Sequence, residues 1–131
     1  MKTVLFALRV SDLERSLAFY TTVGYVNLGT VPFDDGSGLV WLRLPEEKSV
    51  SLELVHRPAD GPVEVGSFQH FAIEVDSLAE TLDRLTAAGL QPGEPELPGG
   101  ADGPKTSWLI DPDGYRIELV EWPPSGPPSF E

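Results

Sequence analysis

Apolar and other residues alternate in FALRV (Phe6 to Val10) and again in FAIEV (Phe71 to Val75). Alternation of period two predicts strands, with Phe6, Leu8 and Val10 on one face and Ala7 and Arg9 on the other. After each strand the spacing changes. Leu13, Leu17 and Tyr20, then Leu78, Leu82 and Leu85, fall at i, i+4 and i+7, one apolar stripe per helix. Ser11 followed by Glu14, and Ser77 followed by Glu80, predict N-terminal capping boxes. Gly24 and Gly89 predict the helix stops. Beyond the first helix, VNLGTVPF, GLVWLRL and VSLELVHR predict three more strands; beyond the second, KTSWLI and YRIELVEW flank the DPDG turn at Asp111 to Gly114. The stretches VPFDDGSG and GEPELPGGADGP are rich in Gly, Pro and acids and read as mobile loops able to cover a site. The tail PPSGPPSFE cannot join a central strand and predicts an extended or disordered end.

The two halves repeat. Adding 65 to a position in the first half lands on its equivalent: Phe6, Ala7, Leu8 and Val10 meet Phe71, Ala72, Ile73 and Val75. Gly24 meets Gly89, and SLELV (Ser51 to Val55) meets RIELV (Arg116 to Val120), so Glu53 pairs with Glu118. Trp41 and Trp108 correspond at a spacing of 67, which implies a small insertion between. Matches at one offset from Phe6 to Val55 mark a duplicated module. The expectation is an α+β chain of two tandem β-α-β-β-β modules, 1–64 and 65–122, with a Pro-rich tail at 123–131.

A chain of 131 residues suits one compact domain. Cysteine is absent, which removes disulfides, thiolate metal sites and a thiol nucleophile. The formal net charge is −12, from 21 acidic and 9 basic residues. Such an excess argues against nucleic acid and anionic membrane as partners, since both need a basic face; it serves solubility or attracts a cationic ligand. The opening MKTVLFALRVSDLERS has an apolar run too short for a signal peptide or a membrane span, and the expected location is cytoplasmic. Neither a phosphate loop, a nucleophile elbow, an HExxH zinc motif nor a dinucleotide fingerprint is present.

The order of elements, together with LRVSDLERSLAFY, QHFAIEVDSLAETLDRL and DPDGYRIELVE, resembles the vicinal oxygen chelate superfamily. That superfamily includes glyoxalase I, bleomycin- and fosfomycin-resistance proteins and extradiol dioxygenases, and DPDGYRIELVE is most similar to glyoxalase I. The resemblance implies a mixed sheet curled around a central cleft, with two inward strand positions per module that commonly hold a divalent metal. Those positions are Leu5 and Glu53 in the first module and His70 and Glu118 in the second. The family also implies a homodimer, with clefts that can be shared between subunits.

Strand alternation agrees with part of this. If Leu52 and Leu54 pack under a helix, Glu53 faces the other way, and Glu118 does so beside Ile117 and Leu119. Glu53, His70 and Glu118 would give one nitrogen and two oxygen ligands, a set suited to Ni, Zn, Mn, Fe or Co. Leu5 cannot ligate, so at most three ligands remain. Only His56 and His70 are present, and His56 points to the opposite strand face from Glu53, so a dioxygenase set of two histidines and a carboxylate is not formed. The resemblance implies a lyase or isomerase acting on a small substrate with adjacent oxygens, the metal as Lewis acid and Glu118 or Glu53 as the proton-transfer base.

Arg9 matches an arginine that binds the glutathione carboxylate in glyoxalase I; the plainer role is an ion pair with Glu53, Glu74 or Glu118. Trp41 and Trp108 either line the cleft for a flat ligand or belong to the core. His70 alone reads equally as a polar residue at a strand start. Leu5 and the acidic composition point to the alternative: a metal-free protein that binds or sequesters an antibiotic or metabolite, in the manner of bleomycin resistance. A third reading is a scaffold whose cleft closes on itself, with Arg9 neutralising the carboxylates.

Overall fold

The computed structural model describes residues 1–129 and divides into two compact units, Met1–Gly66 and a second beginning at Ser67. The first unit runs β1 (Phe6–Arg9), α1 (Leu13–Val23), β2 (Val26–Pro32), β3 (Gly38–Arg43) and β4 (Leu52–His56), with a single 3-10 turn at Pro58–Asp60. The second runs β5 (Phe71–Glu74), α2 (Leu78–Ala87), β6 (Lys105–Ile110) and β7 (Arg116–Glu121). Sheet order is β1-β4-β3-β2 in the first unit and β5-β7-β6 in the second. In each, the last strand sits inside the sheet, parallel to the first strand and antiparallel to the one before it.

Alternation decides which face is buried. Leu8, Leu52 and Leu54 are buried in the first unit, and Ile73, Ile117 and Leu119 in the second. α1 packs on β4, and α2 on β6 and β7. Tyr20 is wholly buried and meets Phe19 and Tyr25 edge-to-face, at 5.0 and 5.7 Å between ring centres. Burial pushes the Tyr25 hydroxyl pKa up, with the Glu47 carboxylate adding to it. Gly24, at φ 139, ends α1 with its N–H donating to the Tyr20 carbonyl, and Gly89, at φ 93, follows Ala88 after α2. Those dihedrals favour glycine over any other residue.

The structure corrects the sequence reading at three places. α1 is capped by Asp12, whose side chain accepts from the Arg15 N–H, while Ser11 Oγ accepts from the Arg15 guanidinium. Ser77 caps α2 as expected, accepting from the Glu80 N–H. Asp12 is the true repeat equivalent of Ser77 at the offset of 65. Second, the outer strand of the second module is broken. The segment after α2 runs beside β6 through Gly93 N–H to the Trp108 carbonyl and through one bridge, Glu96 to Thr106. Pro92, Pro95 and Pro98 lack the N–H that a ladder needs, so pairing stops there. The second module is therefore β-α-β-β plus a bridge. Third, most of VPFDDGSG belongs to the β2–β3 hairpin. Phe33 N–H donates to the Ser37 carbonyl at 2.9 Å, and Asp35 accepts from both the Ser37 N–H and hydroxyl. The tail carries no strand from 123 to 129, and its last two residues lie outside the described residues. Among the described residues, no helix is long and apolar enough to cross a membrane.

A second group holds the start of α2. Glu121, on β7, accepts from the Leu78 N–H at 2.9 Å and meets Lys105 at 3.5 Å. The Leu78 N–H holds the Glu121 carboxyl below its usual range against the opposing effect of desolvation, and Lys105 lowers it further. A depressed carboxylate contributes stability that is present above its unfolded pKa, about 4.3, and lost as the pH falls through the folded value. Thermal unfolding from pH 7 down to pH 2 is therefore expected to show a gap between the parent protein and Glu121→Gln that closes at the acid end. A gap that widens on acidification would contradict this linkage.

Candidate functional site

The repeat builds the same small constellation twice. In the first unit, Glu53 lies between Ala7 of β1 and Trp41 of β3 in the strand register. In the second, Glu118 lies between Ala72 of β5 and Trp108 of β6. Each glutamate is half-buried and sits on the face opposite buried leucine or isoleucine neighbours: Leu52 and Leu54 beside Glu53, Ile117 and Leu119 beside Glu118. Two residues before each alanine stands the variable position, Leu5 or His70.

The side chains then use these equivalent places differently. Trp41 Nε1 donates to Glu53 Oε2 at 2.8 Å, and the indole remains 39% exposed. Arg9, on the same face as Ala7 and Glu53, donates through Nη2 to the carbonyls of Arg57 (3.1 Å) and Gly61 (2.7 Å). That contact ties β1 to the turn after β4. In the second unit, His70 Nε2 faces Glu118 Oε1 at 3.8 Å. The His70 ring meets Trp108 edge-on, 5.0 Å between centres and 81° between planes. The Arg116 guanidinium covers the Trp108 ring at 4.1 Å.

The expected site residues thus form two groups: Trp41 with Glu53, and His70 with Glu118 and Trp108. Leu5 is half-buried just ahead of β1. Among the described residues there is no cluster of three or more His, Cys, Asp or Glu groups arranged to hold a metal ion. The His70–Glu118 pair nevertheless suits a divalent cation chemically. An imidazole nitrogen and a carboxylate oxygen face each other at a distance too long for a hydrogen bond, and both side chains are partly exposed.

Sequence reasoning missed three residues here. Gln69 Oε1 lies 2.7 Å from His70 Nδ1. Arg116 stacks on Trp108, and its place at i−2 from Glu118 on the same strand face could have suggested it. Thr106 has a buried hydroxyl with no hydrogen-bond partner among the described residues, on the sheet face that carries Trp108 and Glu118. No sequence signal marks it.

Each of the two modules thus carries a half-buried glutamate on an inner strand of its sheet. The chain belongs to the Glyoxalase/Bleomycin resistance protein/Dioxygenase superfamily, which it matches over residues 3–119. It is similar to the lactoylglutathione lyase of Salmonella typhimurium, 33% identical over 118 residues that make up 87% of each chain. It is also similar to a probable chloroplastic lactoylglutathione lyase of Arabidopsis thaliana, 31% identical over 126 residues, 92% of this chain. The chain spans only 35% of that plant protein's length. Among solved structures, the antibiotic-binding protein TnmS3 from Streptomyces sp. CB03234 aligns with a TM-score of 0.71 and 25% identity, covering 93% of this chain and 97% of that one. The fold is the α+β glyoxalase/bleomycin-resistance fold.

Proposed function

We propose that the protein is a glyoxalase-type lyase or isomerase acting on a small substrate with adjacent oxygens. The observation that carries this reading is the His70–Glu118 pair of the second unit, an imidazole nitrogen and a carboxylate oxygen that face each other at 3.8 Å. The similarity to lactoylglutathione lyases supports the same chemistry. In this reading His70 and Glu118 of the second unit are the groups that would hold a divalent metal, Ni, Zn, Mn, Fe or Co. When bound, the metal supplies Lewis acidity to the substrate oxygens. The chain's own contribution is proton movement and orientation. One glutamate takes a proton from the carbon beside the carbonyl and returns it to the neighbouring carbon, so the isomerisation consumes no net proton. The Trp41 N–H fixes the orientation of Glu53, and the Trp108 ring fixes that of His70. Each unit has its own candidate substrate contacts in this reading: Arg9 for an anionic group and Trp41 for apolar surface in the first, Trp108 for apolar surface in the second.

A second reading is favoured by one specific pair. Trp41 is exposed, holds Glu53 by its N–H, and has Leu5 rather than a ligand at the repeat equivalent of His70. An indole beside a carboxylate recognises a flat or cationic ligand without a metal. The resemblance to an antibiotic-binding protein supports that reading.

Metal content separates the two. After exposure to each of the five metals and removal of excess, the parent protein is expected to retain close to one metal per chain and His70→Ala essentially none. No retention by either protein would leave the binding reading. Quenching of tryptophan fluorescence by cationic antibiotics is then the measurement to make.

A further inference from the structure

Gln69 and His70 form a pair that the first unit lacks: the equivalent positions there hold Val4 and Leu5. Adjacent side chains within a strand point to opposite faces and do not meet. These two meet because β5 begins only at Phe71, which leaves both on non-strand backbone. Gln69 Oε1 lies 2.7 Å from His70 Nδ1. An amide oxygen accepts and never donates, so the hydrogen between them belongs to Nδ1. A neutral imidazole carries one ring N–H, which leaves Nε2 as a lone pair. Nε2 is the atom that faces Glu118 Oε1 at 3.8 Å. Trp108, edge-on to the imidazole and itself covered by Arg116, limits rotation of the ring.

We propose that Gln69 is a positioning residue for His70, holding the ring in the Nδ1–H tautomer so that Nε2 faces Glu118 as an electron-pair donor. The role deepens the metal reading of this site and rests on it for its use, because a divalent cation binds the bare nitrogen of a neutral imidazole. A hydrogen-bond partner on the far nitrogen fixes both tautomer and ring orientation, which is how ligating histidines are usually held. Without the amide oxygen, the ring is free to carry its hydrogen on Nε2, where it faces Glu118 as a donor and offers a metal nothing. Where the first unit has no imidazole, it has no amide either.

The test is nitrogen-15 NMR of metal-free protein labelled at histidine, under conditions where the imidazoles are neutral, with His56 as the internal reference. His70 of the parent protein is expected to show a protonated Nδ1 and a bare Nε2. Gln69→Leu deletes the acceptor and is expected to move His70 toward Nε2–H while His56 stays unchanged. Gln69→Glu keeps an acceptor oxygen and is expected to restore the parent pattern. Zinc titrated calorimetrically into the same proteins is expected to bind roughly 10–100-fold more weakly to Gln69→Leu. A His70 tautomer unchanged in Gln69→Leu overturns the proposal. The metal reading fails separately: a parent protein that takes no zinc, with a tautomer that still follows residue 69, removes the metal and leaves the role of Gln69 standing.

Discussion

Glu118→Gln is expected to keep its fold and to lose roughly 10²–10⁴-fold in turnover, the span that a positioned acid–base group supplies. Glutamine preserves the shape and length of the side chain but removes the negative charge, so it can neither take the substrate proton nor ligate a cation well. Glu118 is half-buried on the inner strand of a three-stranded sheet, and its neighbours Ile117 and Leu119 face the other way. The substitution therefore leaves the core untouched. Initial rates with a lactoylglutathione-type substrate, alongside near-ultraviolet circular dichroism, make the comparison. Glu53→Gln is the informative companion, because its carboxylate is already held by the Trp41 N–H. A large loss of turnover with metal retained marks the proton-moving glutamate, and a large loss together with the metal marks the ligand. Full activity in both variants would remove the two glutamates from the proton transfer, and no turnover by the parent protein would leave the binding reading.

The second large effect is on stability. Leu54→Ala and Leu119→Ala are each expected to cost about 2–5 kcal/mol, the range for emptying a well-packed leucine site. Both side chains are buried, at 0% and 1% exposure, on the inner strand of their sheets. Each lies under its own helix, Leu54 on the strand that packs against α1 and Leu119 on one that packs against α2. The repeat makes them equivalent positions, so their costs are expected to be similar. Ile110 is the control: it is 66% exposed at the end of β6, and Ile110→Thr is expected to stay within about 0.5 kcal/mol. Urea unfolding of the three variants gives the comparison. A Leu119→Ala cost near that of Ile110→Thr would show that the second sheet does not depend on its helix for burial.

The similarity to lyases and to an antibiotic-binding protein has a common structural reason. In this chain the sheets and helices set where two glutamates and two tryptophans stand, and a fold alone does not choose the chemistry. What differs between the two units is the residue just ahead of each first strand. In this chain the two units have made different choices there, Val4–Leu5 in one and Gln69–His70 in the other. The metal-content and Glu→Gln measurements ask which of these choices governs the function.

Much of this was legible in the chain alone. The repeat at an offset of 65 follows from counting, and it places Glu53 and Glu118 at equivalent positions without any coordinates. Period-two alternation put Leu52 and Leu54 on one face and Glu53 on the other, because a strand has no third choice. Followed strictly, the same offset also picks Asp12 over Ser11 as the cap of α1. Tertiary structure alone decided the rest, since it depends on what long side chains meet across strands and at strand starts. Nothing in the order of residues says that Trp41 turns its N–H to Glu53 while Trp108 stands nearly perpendicular to the His70 ring and turns its face to Arg116. Rotamers choose among neighbours on a shared face, and several choices fit one pattern. The broken outer strand belongs to the same class: its prolines warned of lost pairing, but only the register with β6 shows that Glu96 alone makes the bridge. Glu121 likewise reaches the N-terminus of α2 from a strand 43 residues away, a contact that only folding creates.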